Sequence, residues 1–451
     1  VGTGSNIGAR RAPKRPFVAA LLAAVATLVA WWVGAPPAPA SDAQDAATVA
    51  GQDGLDGLRG LAERWLGERA ASVSFELSSG PIGEGHDAFA VIDVEGATRI
   101  FGESRVALAR GLYEYLRRDC AVSPGWWSGR ASPAGADAPA PLPRATPARG
   151  GSPHALRLHL SPEACAHGAA FWDAARWERE IDVAALRGLN ACLLPIGTDR
   201  VMMAVHDRLG LDPAVSRTWF PAAAFRAFGW SGLAGNWLGP LSLAFAEADA
   251  RIARRVFARM QELGVEPVLP VFTGVLPAGF ASAFPQATFH PLPGWVGLPG
   301  MVLLDPADPL FARVAELFYE EQATRIGMAR HHFGTPTSEV RLPFGEPARL
   351  AELARAVGGA LAAARPGARW LASAWALRFD RGYWTDERVA AWIGATDPAQ
   401  VVFVDRMAAV DPLWERTGGF HGRDFLWGTT PALGARQRLG ARLELAGSEL
   451  A

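Results

Sequence analysis

Near-continuous apolar strand candidates alternate with amphipathic helices over residues 154–451, which predicts an α/β fold with a parallel sheet covered by helices. Seven strand candidates can be counted, one fewer than a closed (β/α)8 barrel needs, so the expected architecture is a TIM-type barrel incomplete at its last strand. A shorter run of alternating strands and helices precedes it and predicts a small α/β domain. An open doubly wound sheet is the alternative arrangement of the same elements.

The N-terminus opens with Arg10, Arg11, Lys14 and Arg15, continues as an apolar run from Phe17 to Val33, and reaches Ala38-Pro39-Ala40 before Ser41. Basic, apolar, then small is the order of a secretory signal peptide over residues 1–40, with an exported (periplasmic or secreted) mature chain starting at Ser41. An uncleaved anchor helix is the other reading of that run. Residues 41–56 are rich in Ala, Asp and Gln and predict a flexible segment.

The small domain is expected over residues 57–130. Leu58, Leu61, Trp65 and Leu66 recur at helical spacing, while residues 73–77, 88–94 and 99–101 read as strands. Gly102-Glu103-Ser104 caps a helix whose apolar face is Leu108, Ala109, Leu112, Tyr115 and Leu116. Residues 131–153, rich in Pro, Ala and Gly, are assigned to a linker. In the barrel region the first helix spans Asp173–Leu186. Strands follow at Asn190–Ile196, Glu266–Phe272, Met301–Leu304, His332–Thr337, Arg369–Ala374, Val401–Val404 and Asp424–Trp427. Helices Pro309–Ile326, Pro347–Ala364 and Asp386–Ile393 stand between them, and Gly434–Leu445 reads as a further helix.

Composition narrows the chemistry. The 451 residues are 50% hydrophobic and 20% charged with a formal net charge of −1, so nothing draws the chain to nucleic acid or an anionic membrane. Seventeen Trp against four Tyr supply flat apolar faces suited to sugar stacking or to the core. Three cysteines, Cys120, Cys165 and Cys192, are too few for a disulfide framework, although a Cys120–Cys165 bridge is open to an exported protein. No Gly-x-Ser-x-Gly elbow or His-Glu-x-x-His motif occurs, and Gly232, Gly235 and Gly239 lack the strand-to-helix setting of a dinucleotide site. The adjacent His331 and His332 would point to opposite faces of a strand and do not make one metal site. Strand-end carboxylates remain: Asp199, Glu339 and Asp405, each able to serve in a site, cap a helix or pair with a rim arginine.

Several segments resemble glycoside hydrolase family 89, the α-N-acetylglucosaminidases. Residues 170–182, beginning Ala170-Phe171-Trp172-Asp173, resemble the helix that opens the family's barrel. Glu266-Pro267-Val268-Leu269-Pro270-Val271-Phe272-Thr273-Gly274, Leu304-Asp305-Pro306-Ala307-Asp308-Pro309-Leu310-Phe311 and the stretch from Gly334 through Glu339 to Glu346-Pro347 follow in the family's order. Residues 104–120 with Trp127-Ser128-Gly129 resemble its small N-terminal domain. The resemblance implies an exported hydrolase of terminal α-linked N-acetylglucosamine, working on glycans without a cofactor. It implies Glu339 as acid/base and Asp199, Trp237, Trp295, Cys165, Trp375 and Asp405 as substrate-binding residues. Departures accompany it: Ser338 stands where the family has Asn, Thr429–Gly434 replace a His-Asn-Phe-Gly-Gly type segment, and the nucleophilic Glu is not found. Glu444 and Glu449 are the only later carboxylates. The alternative expectation is therefore an inactive, truncated or degenerate relative that binds carbohydrate.

Overall fold

The structure, a computed structural model, describes residues 52–125, 140–160, 168–226, 239–294, 300–336, 340–408 and 411–428. The small domain is a four-stranded sheet of β1 (Val73–Leu77), β2 (His86–Val94), β3 (Ala97–Gly102) and β4 (Ala148–Ser152), in the order β1-β3-β2-β4. Strands β2 and β3 form a hairpin closed by Glu95 and Gly96, both at positive φ (54° and 89°), the backbone that tight two-residue turns demand. Helix α1 (Asp56–Leu66) and helix α2 (Arg105–Arg118) belong to the same domain. The Ser104 hydroxyl accepts the Ala107 N–H at 3.1 Å, so α2 begins where the sequence places its cap. Gly111 lets α2 lie close on the sheet: a Cβ there would be 2.5 Å from Ile100 Cγ2.

Strand β4 falls in the stretch assigned to the linker. Its sequence, Ala148-Arg149-Gly150-Gly151-Ser152, carries no apolar alternation, which is why periodicity misses it. It is an edge strand, paired antiparallel with β2, and Gly150 faces the ring of Phe89 where a side chain would collide.

The second sheet contains seven strands, all parallel, in the order β14-β13-β12-β11-β7-β6-β5. They are β5 (Leu158–His159), β6 (Ala191–Leu193), β7 (Glu266–Pro270), β11 (His331–Gly334), β12 (Arg369–Ser373), β13 (Val401–Asp405) and β14 (Phe425–Trp427). It curls as a half-barrel, with β5 and β14 at its edges among the described residues. Seven were expected, but the membership differs. Met301–Leu304 is not in this sheet; as β10 it is the middle strand of a separate antiparallel sheet, between β8 (Val275–Pro277) and β9 (Phe289–Leu292). Its four residues are all buried, so the run looks like a barrel strand by hydrophobicity alone. The missing place belongs to β5, two residues long and below the reach of any periodicity.

Helices α3 (Ala174–Leu186), α4 (Thr198–Arg208), α5 (Leu243–Leu263), α6 (Pro309–Arg325) and α7 (Pro347–Ala364) lie between successive strands, with α8 (Trp375–Phe379) and α9 (Asp386–Gly394) after β12. Strand pleating sorts the core into two faces. Ala191, Leu193, Val268, Phe333, Leu371, Val402 and Val404 form one cluster with Leu158 and Leu426 beside it: the inner face of the curl. Their sequence neighbours point to the helices. His332, for example, hydrogen-bonds Gln322 on α6 at 3.0 Å through Nε2. The Asp182 carboxylate joins the two domains: buried on α3, it accepts from Arg259 on α5 at 2.9 Å and pairs with Arg64 on α1 at 2.7 Å. Such a pair is costly to break from one side, because the remaining charge stays buried.

His206, on α4, has no solvent exposure and is boxed by the rings of Trp219, Phe220 and Phe280 at 5.0–5.4 Å. Neither ring nitrogen has a hydrogen-bond partner among the described residues. Burial pushes its pKa down to about 3, so the folded protein keeps the imidazole neutral. An unfolded histidine titrates near 6.5, so between those values the unfolded chain binds the extra proton and stability falls as pH falls. Replacing His206 by Phe should flatten the acid limb of a stability-versus-pH curve between about pH 6.5 and 3. The slope removed is up to about 1.4 kcal/mol per pH unit, read from urea unfolding at stepped pH. Parallel curves for the two proteins would show that His206 is not neutral in the fold.

Candidate active site at the C-terminal rim of the parallel sheet

Parallel strands covered by helices present their C-terminal ends as a platform for loops, and ligands gather there. On the inner face, Phe333 is followed by Thr335 and Leu371 by Ser373, both buried, and β11 and β12 lie in register at Gly334 and Ala372. Trp375, half-buried, opens α8 directly beyond β12. The Arg406 guanidinium, from the turn after β13, lies over its ring at 4.8 Å from the centroid. An aromatic face and small hydroxyls at the mouth suit a sugar ring, whose axial hydrogens stack on Trp while its hydroxyls seek polar groups.

Asp199 sits in the first turn of α4, just past β6. Its carboxylate accepts Arg226 Nη1 at 2.9 Å, and Arg226 also reaches Asp249 on α5 at 2.8 Å. Asp249 in turn accepts the Gly197 N–H at 2.7 Å. Gly197 has φ +83°, and a Cβ there would be 2.9 Å from Ala253 Cβ, so glycine allows the end of β6 to press on α5. Burial pushes the Asp199 carboxyl up, Arg226 pulls it down, and Asp249 adds repulsion; the net direction is upward. Of the roles open to this carboxylate, pairing with a rim arginine is the one observed.

Asp405 ends β13 on the opposite parity to Val402 and Val404, sharing its face with Phe403, whose ring stacks on Phe420 at 5.1 Å. It therefore belongs to the helix-facing side of the sheet. Its oxygens accept the Leu413 N–H at 2.7 Å and the Met407 N–H at 3.3 Å, with Arg378 at 3.9 Å. Burial pushes its carboxyl up despite those donors. In this arrangement Asp405 is a strand-end anchor for the following loop.

Glu339, Cys165, Trp237 and Trp295 lie outside the described residues. Arg226, Asp249, Arg378 and Arg406 are rim residues that sequence reasoning missed. Each lies in a loop or helix turn far in sequence from its partner, and only the charge alternation of the region hints at them.

The family model described as the α-N-acetylglucosaminidase TIM-barrel domain matches residues 159–451, and that of the α-N-acetylglucosaminidase N-terminal domain matches residues 56–144. The chain belongs to the α-N-acetylglucosaminidase family. Human α-N-acetylglucosaminidase is 32% identical over 356 residues, which are 77% of this chain and 47% of that protein. A family 89 glycoside hydrolase from Clostridium perfringens, solved with PUGNAc, superposes with a TM-score of 0.73 at 22% identity over 84% of this chain and 42% of that one. A variant of that Clostridium perfringens enzyme with two Glu→Gln substitutions, in complex with its substrate GlcNAc-α-1,4-galactose, gives a TM-score of 0.74 at the same identity and coverage. The chain thus spans about half the length of the α-N-acetylglucosaminidase relatives it matches.

The anchoring role of Asp405 has a direct consequence for the family fold. Asp405→Asn keeps the shape but loses one acceptor and the charge beside Arg378, so stability should fall by about 1–3 kcal/mol in urea unfolding. Unchanged stability of the variant would show that these contacts do not anchor the loop.

Proposed function

We propose that this protein is an exported family 89-type glycoside hydrolase that removes terminal α-linked N-acetylglucosamine from glycans. The observation that carries the reading is the family match over both the N-terminal domain and the barrel, in the family's order. In this reading Glu339 is the acid/base. It follows β11 and would protonate the leaving oxygen as the glycosidic bond breaks, a task that needs a carboxyl kept protonated by a partly desolvated pocket. Trp237, Trp295 and Trp375 would stack on the sugar, with Cys165 and Asp199 at the pocket wall. The chain itself supplies this binding and proton transfer, and the chemistry needs no metal or organic cofactor.

Retention requires a second carboxylate about 5–5.5 Å from the first. Among the described residues, the strand-end carboxylates Asp199 and Asp405 are engaged by Arg226 and by backbone N–H groups. The second reading is a non-catalytic carbohydrate-binding protein that keeps the aromatic rim.

Glu339→Gln separates the two. A hydrolase should lose about 10²–10⁴-fold in kcat, the span of general acid/base contributions, with little change in affinity for the sugar. Equal, low hydrolysis by both forms would leave only the binding reading. Export is tested by N-terminal sequencing of the protein recovered outside the cytoplasm. The signal reading expects a start at Ser41, and an intact N-terminal apolar run would contradict it.

A further inference from the structure

The rim ends of β12 and β13 are clasped together by two contacts that run in opposite directions. In one, the Arg406 guanidinium, from the turn after β13, lies over the Trp375 ring of α8 at 4.8 Å from its centroid. In the other, Arg378 of the same short helix reaches back to that turn. Its Nη2 meets Asp411 at 3.1 Å, and its Nη1 lies 3.9 Å from Asp405. Arg378 is 7% exposed, so this second clasp works largely out of water, where salt screens an ion pair least.

Both halves are shaped by the main chain before these side chains meet. The Ala374 N–H donates to the Val404 carbonyl at 3.0 Å, which carries the β12–β13 ladder up to the residue before Trp375. On the other side, the Asp405 carboxylate accepts the Met407 N–H at 3.3 Å and the Leu413 N–H at 2.7 Å. The Asp411 N–H donates to the Met407 carbonyl at 3.1 Å, and Arg381 donates to both Asp411 oxygens at 3.3 Å. Asp405 and Asp411 thus fix the turn from which Arg406 departs.

Trp375 needs such a hold. It is half-buried at the mouth of the sheet, two residues beyond the buried Ser373. An aromatic ring partly in water can change rotamer, and arresting it on binding costs free energy. A guanidinium stacked on the ring arrests it beforehand. The planar fork matches the indole face, and weak hydration lets it stack at small cost.

We propose that Arg406 is a positioning residue for the sugar platform: stacked on Trp375, it holds the indole in place before a sugar arrives. The inference rests on the functional reading above, in which Trp375 stacks on the sugar, and names what orients that ring. It concerns binding rather than turnover, so it applies to a hydrolase and to a binding protein alike.

The test is calorimetric titration of N-acetylglucosamine into wild type, Arg406→Met, Trp375→Leu and the double variant, with melting temperatures measured alongside. Arg406→Met keeps an unbranched stem and removes the cation. It should weaken binding about three- to fivefold, the fold-change that one cation–π contact represents. In the Trp375→Leu background the same substitution should change affinity less than about 1.5-fold, because Arg406 acts only through the ring. Equal losses in both backgrounds would put Arg406 on the sugar itself and overturn the inference, as would an Arg406→Met affinity equal to that of wild type. Both outcomes leave the platform reading standing. Trp375→Leu binding as tightly as wild type would overturn that reading, and this inference with it. Fluorine NMR of ligand-free protein labelled with fluorotryptophan reads the ring directly, the Trp375 resonance being assigned by its loss in Trp375→Leu. That resonance should broaden or split in Arg406→Met, and an unchanged line would overturn the inference even where Trp375→Leu binds too weakly to titrate. If Arg406→Met does not fold, Arg406→Lys keeps the charge but loses the planar face. It should weaken binding about twofold and broaden the same resonance, unchanged affinity and line again overturning the inference.

Discussion

The pleat of one parallel sheet governs what every residue near the rim can do. Ala191, Leu193, Val268, Phe333, Leu371, Val402 and Val404 fill the inner face, so their neighbours turn to the helices. At the C-terminal ends the same parity sends Thr335 and Ser373 inward and Asp405 outward. A carboxylate at a strand end is therefore no sign of chemistry until its parity is known. Asp405 shows it: its end-of-strand place suits a catalytic acid, while its oxygens bind the Leu413 and Met407 amides.

Around that sheet, buried and half-buried charge clusters join elements at the rim and between the two domains. Arg226 lies between Asp199 and Asp249, Asp305 between His290 and Arg349, and Asp182 between Arg64 and Arg259. Each cluster ties loops or helices distant in sequence, and the buried ones resist one-sided substitution because a lone charge would remain. Tyr383 does with a neutral hydroxyl what these pairs do with charges: it donates to the Phe344 carbonyl, a main-chain atom of another loop.

Several long helices were legible in the sequence, although Leu243–Leu263 was not assigned there. Pro309 and Pro347 open α6 and α7 at the first helical turn, and Ser104 and Asp173 cap α2 and α3 through their side-chain oxygens. Strand parity, two-residue strands and cross-loop contacts were not. Leu158–His159 is too short to show a period, Met301–Leu304 shows the wrong one because it is buried on both faces, and β4 hides in Arg149-Gly150-Gly151. Tyr383 and Phe344, 39 positions apart, carry no pattern that ties them. The family resemblance, by contrast, was legible, since ordered local motifs survive where side-chain partnerships do not.

Release of free N-acetylglucosamine from GlcNAc-α-1,4-galactose, followed by NMR beside the β-linked disaccharide, is the most direct measurement of the central claim. The account predicts that the α-linked sugar is cleaved and the β-linked one left intact. Binding of the α-linked disaccharide without release of either sugar would contradict it, and leave a family member that holds the glycan but does not cut it.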